Sequence, residues 1–510
     1  MSLPKSDARS PEAELATDHL VAEIGRRSRH GGAVLLGAQM VRVLGQMATL
    51  VVLARLLPPA AFGLLAMIAA VGLVLDLLKD LGLSSATIQK PDLAHSQVSA
   101  LFWINAAAGI LLAVALVLAA PLLAAFYDQS ELGPVTRWLA LGFVLSGFTV
   151  QHWALLRRQM RFAAIAGLET VADYAGFAVA IALALAGKGY WALVVQRLVS
   201  PAVLMVGSWV ICRWRPGRPA STGMRGLLHF GASVTGSGLA TALARSFDQI
   251  LIGWLWGPAV LGLYERTSRL LLLPVNTINA PVYAAGMPAL SRLADQPERY
   301  RAMFRQIVQK LGLLTMPAFA VVAVAADWVV EILFGPSWLE AVPLAILFSV
   351  SATFLPVLLT MGLLYLTQDR TGEMLRATLI DSALCLAAII AGLPWGAVGI
   401  AAALAIVGLV LRTPVAFWLA TRRGPVSVAD TWRAVAPPAS AALAAAAAAW
   451  TARAFMSREV SVQAVTAVGA MALLAILLVL LAWPETRQDL RSGAYRAAIL
   501  VRRRRAILEP

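Results

Sequence analysis

Apolar runs about as long as a bilayer is thick recur along this chain, and they constrain its fold more than any other feature. A helix crossing the hydrocarbon core needs roughly 20 predominantly apolar residues. Over such continuous runs only a helix satisfies its own backbone groups away from water. Between breaks of Pro, Gly and charge the runs number about fourteen, the first at 32–57 and the last at 461–483. Composition agrees: 60% of the 510 residues are hydrophobic and 14% charged, against roughly 45–50% and 25% in soluble domains. The expected fold is an all-α integral membrane bundle. Its weakest spans are 228–256 and 259–289, which carry charges and several Gly, Ser, Thr or Pro.

Charge sets the orientation. Of the 42 Lys and Arg, 30 fall on one side of the alternating spans and four on the other, Arg137, Lys188, Arg453 and Arg458. The remaining eight lie within or at the ends of spans. Cytoplasmic loops are the basic ones, so a multi-pass inner-membrane protein with both termini in the cytoplasm is expected. The same split explains the formal charge of +15 by topology, so no nucleic-acid partner is expected. The N-terminal tail has no apolar h-region and does not read as a cleaved signal peptide. The basic C-terminal tail reads either as an amphipathic helix on anionic lipid or as a frayed end. Cys212 and Cys385 imply no disulfide framework and read as small buried hydrophobes. No metal-ligand spacing and no G-x-x-x-x-G-K-[ST] loop occurs, so neither metal, cofactor nor ATP hydrolysis is expected. The short external loops leave little room for a catalytic domain, and an enzyme is not expected.

Residues 30–65 align without a gap on 229–264, a shift of 199 with ten of 36 positions identical. Composition alone gives roughly three or four. Half of the matches are His, Gly or Pro, among them Pro59/Pro258 and Gly63/Gly262. Both copies follow a basic cytoplasmic segment, so both enter the membrane in the same direction and the repeat is parallel. The organisation read from this is a cytoplasmic tail (1–30), an N-lobe of six spans (31–212), a cytoplasmic linker (213–227), a C-lobe of six spans (228–420), an appended pair (421–483) and a basic cytoplasmic tail (484–510).

Gln39, Arg42, Gln46 and Thr49 follow offsets of 0, 3, 7 and 10 in the first span and share one helical face. Under the shift, Thr241, Arg245 and Asp248 take the places of Arg42, Gln46 and Thr49. The next span adds Glu265, Arg266, Arg269, Asn276 and Asn279. An isolated charge at the bilayer centre costs at least about 2.5–3.5 kcal/mol, so such residues face a wet cavity or a partner. Two repeat-related polar faces predict a central cavity, with Arg42, Gln46, Thr49, Thr241, Arg245, Asp248, Arg266, Arg269 and Asn276 as candidate substrate contacts. The alternative is pairing along the helix, Arg245 with Asp248 and Glu265 with Arg269. Even then Arg42 and Arg266 are left without a local partner, and surplus guanidinium suits an anionic, phosphate-bearing substrate. Asp76, Asp80, Asp173 and Asp381 are candidates for proton or cation coupling. Asp76 and Asp80 also read as a helix end neutralised by Lys79, and Asp173 and Asp381, like Glu169, as packing-level polar contacts. Arg55, Arg197 and Arg412, near span ends, read as snorkelling side chains.

Several short motifs stand in a fixed order: LARLLPPAAFGLL (53–65), DLGL (80–83), GYWAL (189–193), FDQILIG (247–253), GPAVLGLY (257–264), Pro274 and FGPSW (334–338). Together they resemble the Wzx-type polysaccharide and oligosaccharide-lipid flippases of the MOP exporter superfamily, over roughly residues 30 to 420. The resemblance implies a V-shaped two-lobe fold. It implies translocation of an undecaprenyl-diphosphate-linked oligosaccharide to the periplasmic leaflet for exopolysaccharide or lipopolysaccharide assembly. The implied partners are that lipid-linked substrate, membrane lipids, and a polysaccharide polymerase and chain-length regulator. Sister lipid II flippases also carry cavity Arg and often two extra spans. Sister drug/cation antiporters typically have twelve spans and an acidic cavity, and both remain as alternatives.

Overall fold

The computed structural model describes residues 24–80, 83–89, 93–219, 224–456 and 461–483. Within these, the side chains of 24–36, 73–74, 76–80, 85–86, 89, 224–245 and 462 lie outside the description. Helices, short turns and loops make up the described residues, and no strand occurs among them. Eleven described stretches are long and apolar enough to cross a membrane. Two of them, Ser246–Ser291 and Thr371–Thr421, run to 46 and 51 residues, more than twice the roughly 20 residues of a single crossing. The first is broken at Gly257, whose φ of 75° is open to glycine without steric cost. The second is broken at a tight turn over Leu393–Trp395. Counting continuous stretches therefore gives fewer spans than counting breaks.

The chain divides into two compact units, Met1–Arg266 and Thr267–Pro510. The first holds α1 (Ile24–Leu56), α2 (Pro59–Asp80), α3 (Leu83–Gln89), α4 (His95–Tyr127), α5 (Leu132–Gly147), α6 (Val150–Arg158), α7 (Phe162–Leu185) and α8 (Trp191–Ile211). It also takes in the start of α9 (Met224–Ser291). α4 pairs with α5, α7 with α8, and α1 lies on α7. On α4, Leu111, Leu118 and Leu122 are exposed while Ala106, Ala113 and Ala120 are buried. Small residues at the interface and large apolar ones outside suit packing in lipid, which solvates leucine as well as a protein core does.

One end of this unit is tied by an aromatic knot. Phe102 meets Phe148, His152, Trp209 and Trp214 edge-on. The Trp214 indole N–H donates to Nδ1 of His95 at 3.0 Å. Arg158 donates to the Thr87 carbonyl at 2.9 Å, and the Thr87 hydroxyl donates to Gln151 at 2.9 Å. These bonds fix short α6 between α3 and α4. Cys212 is buried in the same cluster and Cys385 is partly buried, and neither forms a disulfide.

The second unit continues with α10 (Pro297–Val324), α11 (Ala326–Phe334), α12 (Val342–Leu366), α13 (Thr371–Gly392), α14 (Gly396–Val407), α15 (Thr413–Thr421), α16 (Val428–Ala454) and α17 (Val462–Ala482). α16 packs along α10 and buries Ala434, Val435 and Ala442 against Phe304, Val308, Met361 and Phe417. α17 packs on α16, with Ala464 and Val468 against Trp328, Ala449 and Ala452. A reciprocal capping box starts α16: the Asp430 N–H donates to the Ser427 hydroxyl at 3.1 Å, and the Ser427 N–H to the Asp430 carboxylate at 3.0 Å. Arg370 ties α13 to α15 through the Ala420 carbonyl at 3.1 Å and holds Glu373 at 2.7 Å.

Candidate functional site

The polar face of α1 meets α7. Glu169 and Asp173 stand four apart on α7 and so share a face. Arg42 lies opposite them, its Nε donating to Asp173 Oδ2 at 2.9 Å and its Nη1 to Glu169 Oε2. Tyr174 reinforces the contact by donating to the Val41 carbonyl at 2.9 Å. Buried Thr49 donates to the Gly45 carbonyl at 2.8 Å, while Gln46 is half-buried and Gln39 exposed. Arg42 has no partner along its own helix, and the carboxylates that meet it lie 127 and 131 residues away in sequence. Asp173, expected as a coupling candidate, belongs to this ion pair. One guanidinium between two carboxylates leaves the triad with a formal surplus of one negative charge.

Asp248 accepts from the Tyr264 hydroxyl and from the Gln249 N–H, each at 2.8 Å. Arg266 lies over the Phe62 ring, 3.9 Å from its centroid, and 3.6 Å from Glu265. The expectation that Arg266 lacks a local partner is corrected, because Glu265 lies beside it in place of pairing only with Arg269. A cation over an aromatic face is held electrostatically by the ring quadrupole. Arg269 and Asn276 are exposed on α9, and buried Asn279 donates to the Val275 carbonyl at 3.0 Å. Thr241, Arg245, Asp76 and Asp80 fall among the side chains outside the described residues.

In the second unit Asp381 accepts two hydrogen bonds from Arg412, at 2.7 and 2.8 Å. The chain carries a π-turn over Gly408–Arg412, a local widening often found where a side chain is re-aimed. The snorkelling reading of Arg412 is thereby corrected, since its charge is met within the bundle. Arg412 is the more buried partner, at 19% exposure against 40% for Asp381. Removing the carboxylate therefore strands the charge with less access to water. Asp381→Ala is expected to destabilise more than Arg412→Ala, by about 1–3 kcal/mol. That lies below the roughly 3–5 kcal/mol of a fully buried pair because Asp381 reaches solvent. Thermal unfolding of the two purified variants measures the order; equal losses would contradict it.

Sequence reasoning missed a cavity of about 400 Å³ in the first unit, lined by Ser84, Thr149, Trp153, Arg157 and Glu169 among others. It opens where the run 136–155, read as one span, breaks at Phe148 and Thr149 between α5 and α6. The available signal was Arg157 beside Trp153, which orientation alone had seemed to explain.

A family model for polysaccharide biosynthesis proteins matches residues 52–343, more than half of the chain. The chain belongs to the polysaccharide biosynthesis protein family. The chain is 27% identical over 357 residues to the lipopolysaccharide biosynthesis protein WzxC of Escherichia coli K12, covering 68% of this chain and 72% of WzxC. It is 27% identical over 301 residues to the teichuronic acid biosynthesis protein TuaB of Bacillus subtilis 168, covering 58% of this chain and 60% of TuaB. Against the succinoglycan biosynthesis transport protein ExoT of Rhizobium meliloti 1021 the identity is 26% over 322 residues, 62% of this chain and 65% of ExoT. The chain thus spans less than two thirds of TuaB and ExoT. Its fold is that of the lipid II flippase MurJ in an inward closed conformation, with a TM-score of 0.70 at 12% identity over 92% of this chain and all of MurJ. An inward-facing multidrug resistance transporter of the MOP superfamily matches with a TM-score of 0.56 at 13% identity, over 79% of this chain and 99% of that one. The chain is therefore a multi-pass membrane protein of the MOP fold, built of helices and short connections throughout its described residues.

Proposed function

We propose that this protein moves an undecaprenyl-diphosphate-linked oligosaccharide across the inner membrane, from the cytoplasmic to the periplasmic leaflet, by alternating access. The cargo serves exopolysaccharide or lipopolysaccharide assembly. The observation that carries the reading is the family match over residues 52–343, joined to the transport role in the name of ExoT. The protein is a transporter and not an enzyme, with both termini in the cytoplasm as the 30-to-4 distribution of Lys and Arg indicates. Two repeated six-span lobes and an appended pair carry out the cycle. Gln46, Thr49, Thr241, Arg245, Asp248, Arg266, Arg269 and Asn276 line the substrate path, and Arg42 organises it through Glu169 and Asp173. Asp76, Asp80, Asp173 and Asp381 are the groups proposed for coupling. A polymerase and a chain-length regulator act downstream on the translocated units.

A deletion strain is expected to lose surface polysaccharide and accumulate lipid-linked repeat units facing the cytoplasm, with both restored by the wild-type gene. A strain that keeps its polysaccharide but stalls in peptidoglycan synthesis would move the cargo to lipid II. Dye efflux in an ion gradient that dies with Asp248→Asn, with polysaccharide intact, would instead make the protein a drug/cation antiporter.

A further inference from the structure

The cavity of the first unit is built from five helices and brings unlike groups to one place. Ser84 of α3, Ser146 at the end of α5 and Thr149 at the break supply hydroxyls. The Thr149 hydroxyl donates back to the Leu145 carbonyl at 2.7 Å, which leaves its lone pairs as acceptors. Trp153 supplies an indole ring, and α8 supplies Leu204 as an aliphatic wall. Two charges complete the lining, Arg157 and Glu169. They are not equivalent, because Glu169 already holds Arg42 through Oε2. Arg157 is exposed and stands as the cation of the cavity that no carboxylate in its lining serves first.

We propose that this cavity binds the sugar–phosphate junction of the substrate, a single pyranose ring carrying a phosphate on its anomeric carbon. This rests on the flippase reading above. The chemistry of the lining selects this ligand class. An indole is large, rigid and apolar on its face, matching the C–H face of a pyranose. The serine hydroxyls can donate and accept, and the Thr149 hydroxyl accepts, as a polyol requires. Glu169 Oε1 accepts from a ring hydroxyl while Oε2 stays with Arg42. Arg157 meets the phosphate, which a guanidinium can bind through two parallel N–H bonds. The volume is near the lower end of small-molecule pockets, roughly 300–1,000 Å³, so one phosphorylated ring fits and the rest of the glycan lies outside. Arg157 is on the basic side of the membrane by the Lys/Arg count, the side on which a cytoplasmically assembled headgroup arrives.

The test uses the full-length protein in nanodiscs, titrated with the 1-phosphates of glucose, galactose and N-acetylglucosamine. Saturable one-site binding of at least one of them is expected, with the free sugar and inorganic phosphate each at least tenfold weaker. Arg157→Gln and Trp153→Leu are each expected to weaken binding tenfold or more. Arg157→Lys and Trp153→Phe, which keep the charge and the ring, recover much of it and guard against misfolding as the cause. Undecaprenyl-diphosphate-linked glucose is expected to displace the soluble ligand. No saturable binding by any of the three would overturn the proposal. So would inorganic phosphate binding as well as the sugar phosphate, or unaltered binding in both Arg157→Gln and Trp153→Leu. Failure of the lipid-linked sugar to displace the soluble one would overturn its assignment to the substrate. Loss of binding in Arg157→Gln with normal surface polysaccharide would remove the cavity from the transport path while leaving the flippase reading intact. That reading falls only with the deletion strain.

Discussion

Replacing Gly63 with valine is expected to destabilise the first unit by about 1–3 kcal/mol or more and to abolish export of surface polysaccharide. A Cβ placed on Gly63 falls 1.7 Å from the Pro258 carbonyl oxygen, and one on Gly262 falls 1.9 Å from that of Pro59. Both obstacles are backbone, so no side chain can swing aside, and α2 must move away from α9. The same four residues are two of the matched pairs of the 199-residue shift, Pro59 with Pro258 and Gly63 with Gly262. Each copy of the repeat thus lays its glycine on the proline carbonyl of the other. One separation of the helices relieves both clashes, so Gly63→Val combined with Gly262→Val is expected to cost clearly less than the sum of the single changes. Thermal unfolding of the detergent-purified variants and a surface-polysaccharide assay read the two effects. If Gly63→Ala unfolds and exports like the wild type, α2 and α9 do not approach this closely in the working protein.

That contact also marks how far the sequence can be read. Apolar run length declares the helices because the bilayer demands a minimum span, and residues 95–127 and 463–482 are plain at sight. Helical spacing groups Arg42, Gln46 and Thr49, since a face is a property of one helix. Pairing across helices is a different matter. Spacing rules reach only three or four residues along a helix, whereas Arg42 finds Glu169 and Asp173 on α7, and Arg412 finds Asp381 across a π-turn. Both guanidiniums therefore looked less satisfied than they are. The same blindness hid the cavity, whose lining comes from α3, α5, α6, α7 and α8 and has no sequence neighbourhood. Gly257 was legible as a break in composition, but only its backbone angle shows the chain turning there while both flanks stay helical.

Arg42→Ala is the change expected to cost most in the polar interior. It leaves Glu169 and Asp173 facing α1 with no cation between them, on a helix whose flanks lie in a membrane-spanning stretch. Removing one partner of a buried pair costs roughly 3–5 kcal/mol because an uncompensated charge stays behind. These side chains are 21–26% exposed, so the lower part of that range applies. Asp173→Asn is expected to be milder, because Arg42 keeps Glu169. The triple change Arg42→Gln, Glu169→Gln and Asp173→Asn removes the stranded charge along with the pair. It is expected to regain most of the wild-type stability, since neutral packing replaces buried ion pairs with little loss. Export should not return with it if the pair organises the substrate path, and this separates a transport role from a purely structural one. A stable triple variant that restores surface polysaccharide would reduce the Arg42 triad to a packing device, and an Arg42→Ala protein as stable as wild type would deny it even that.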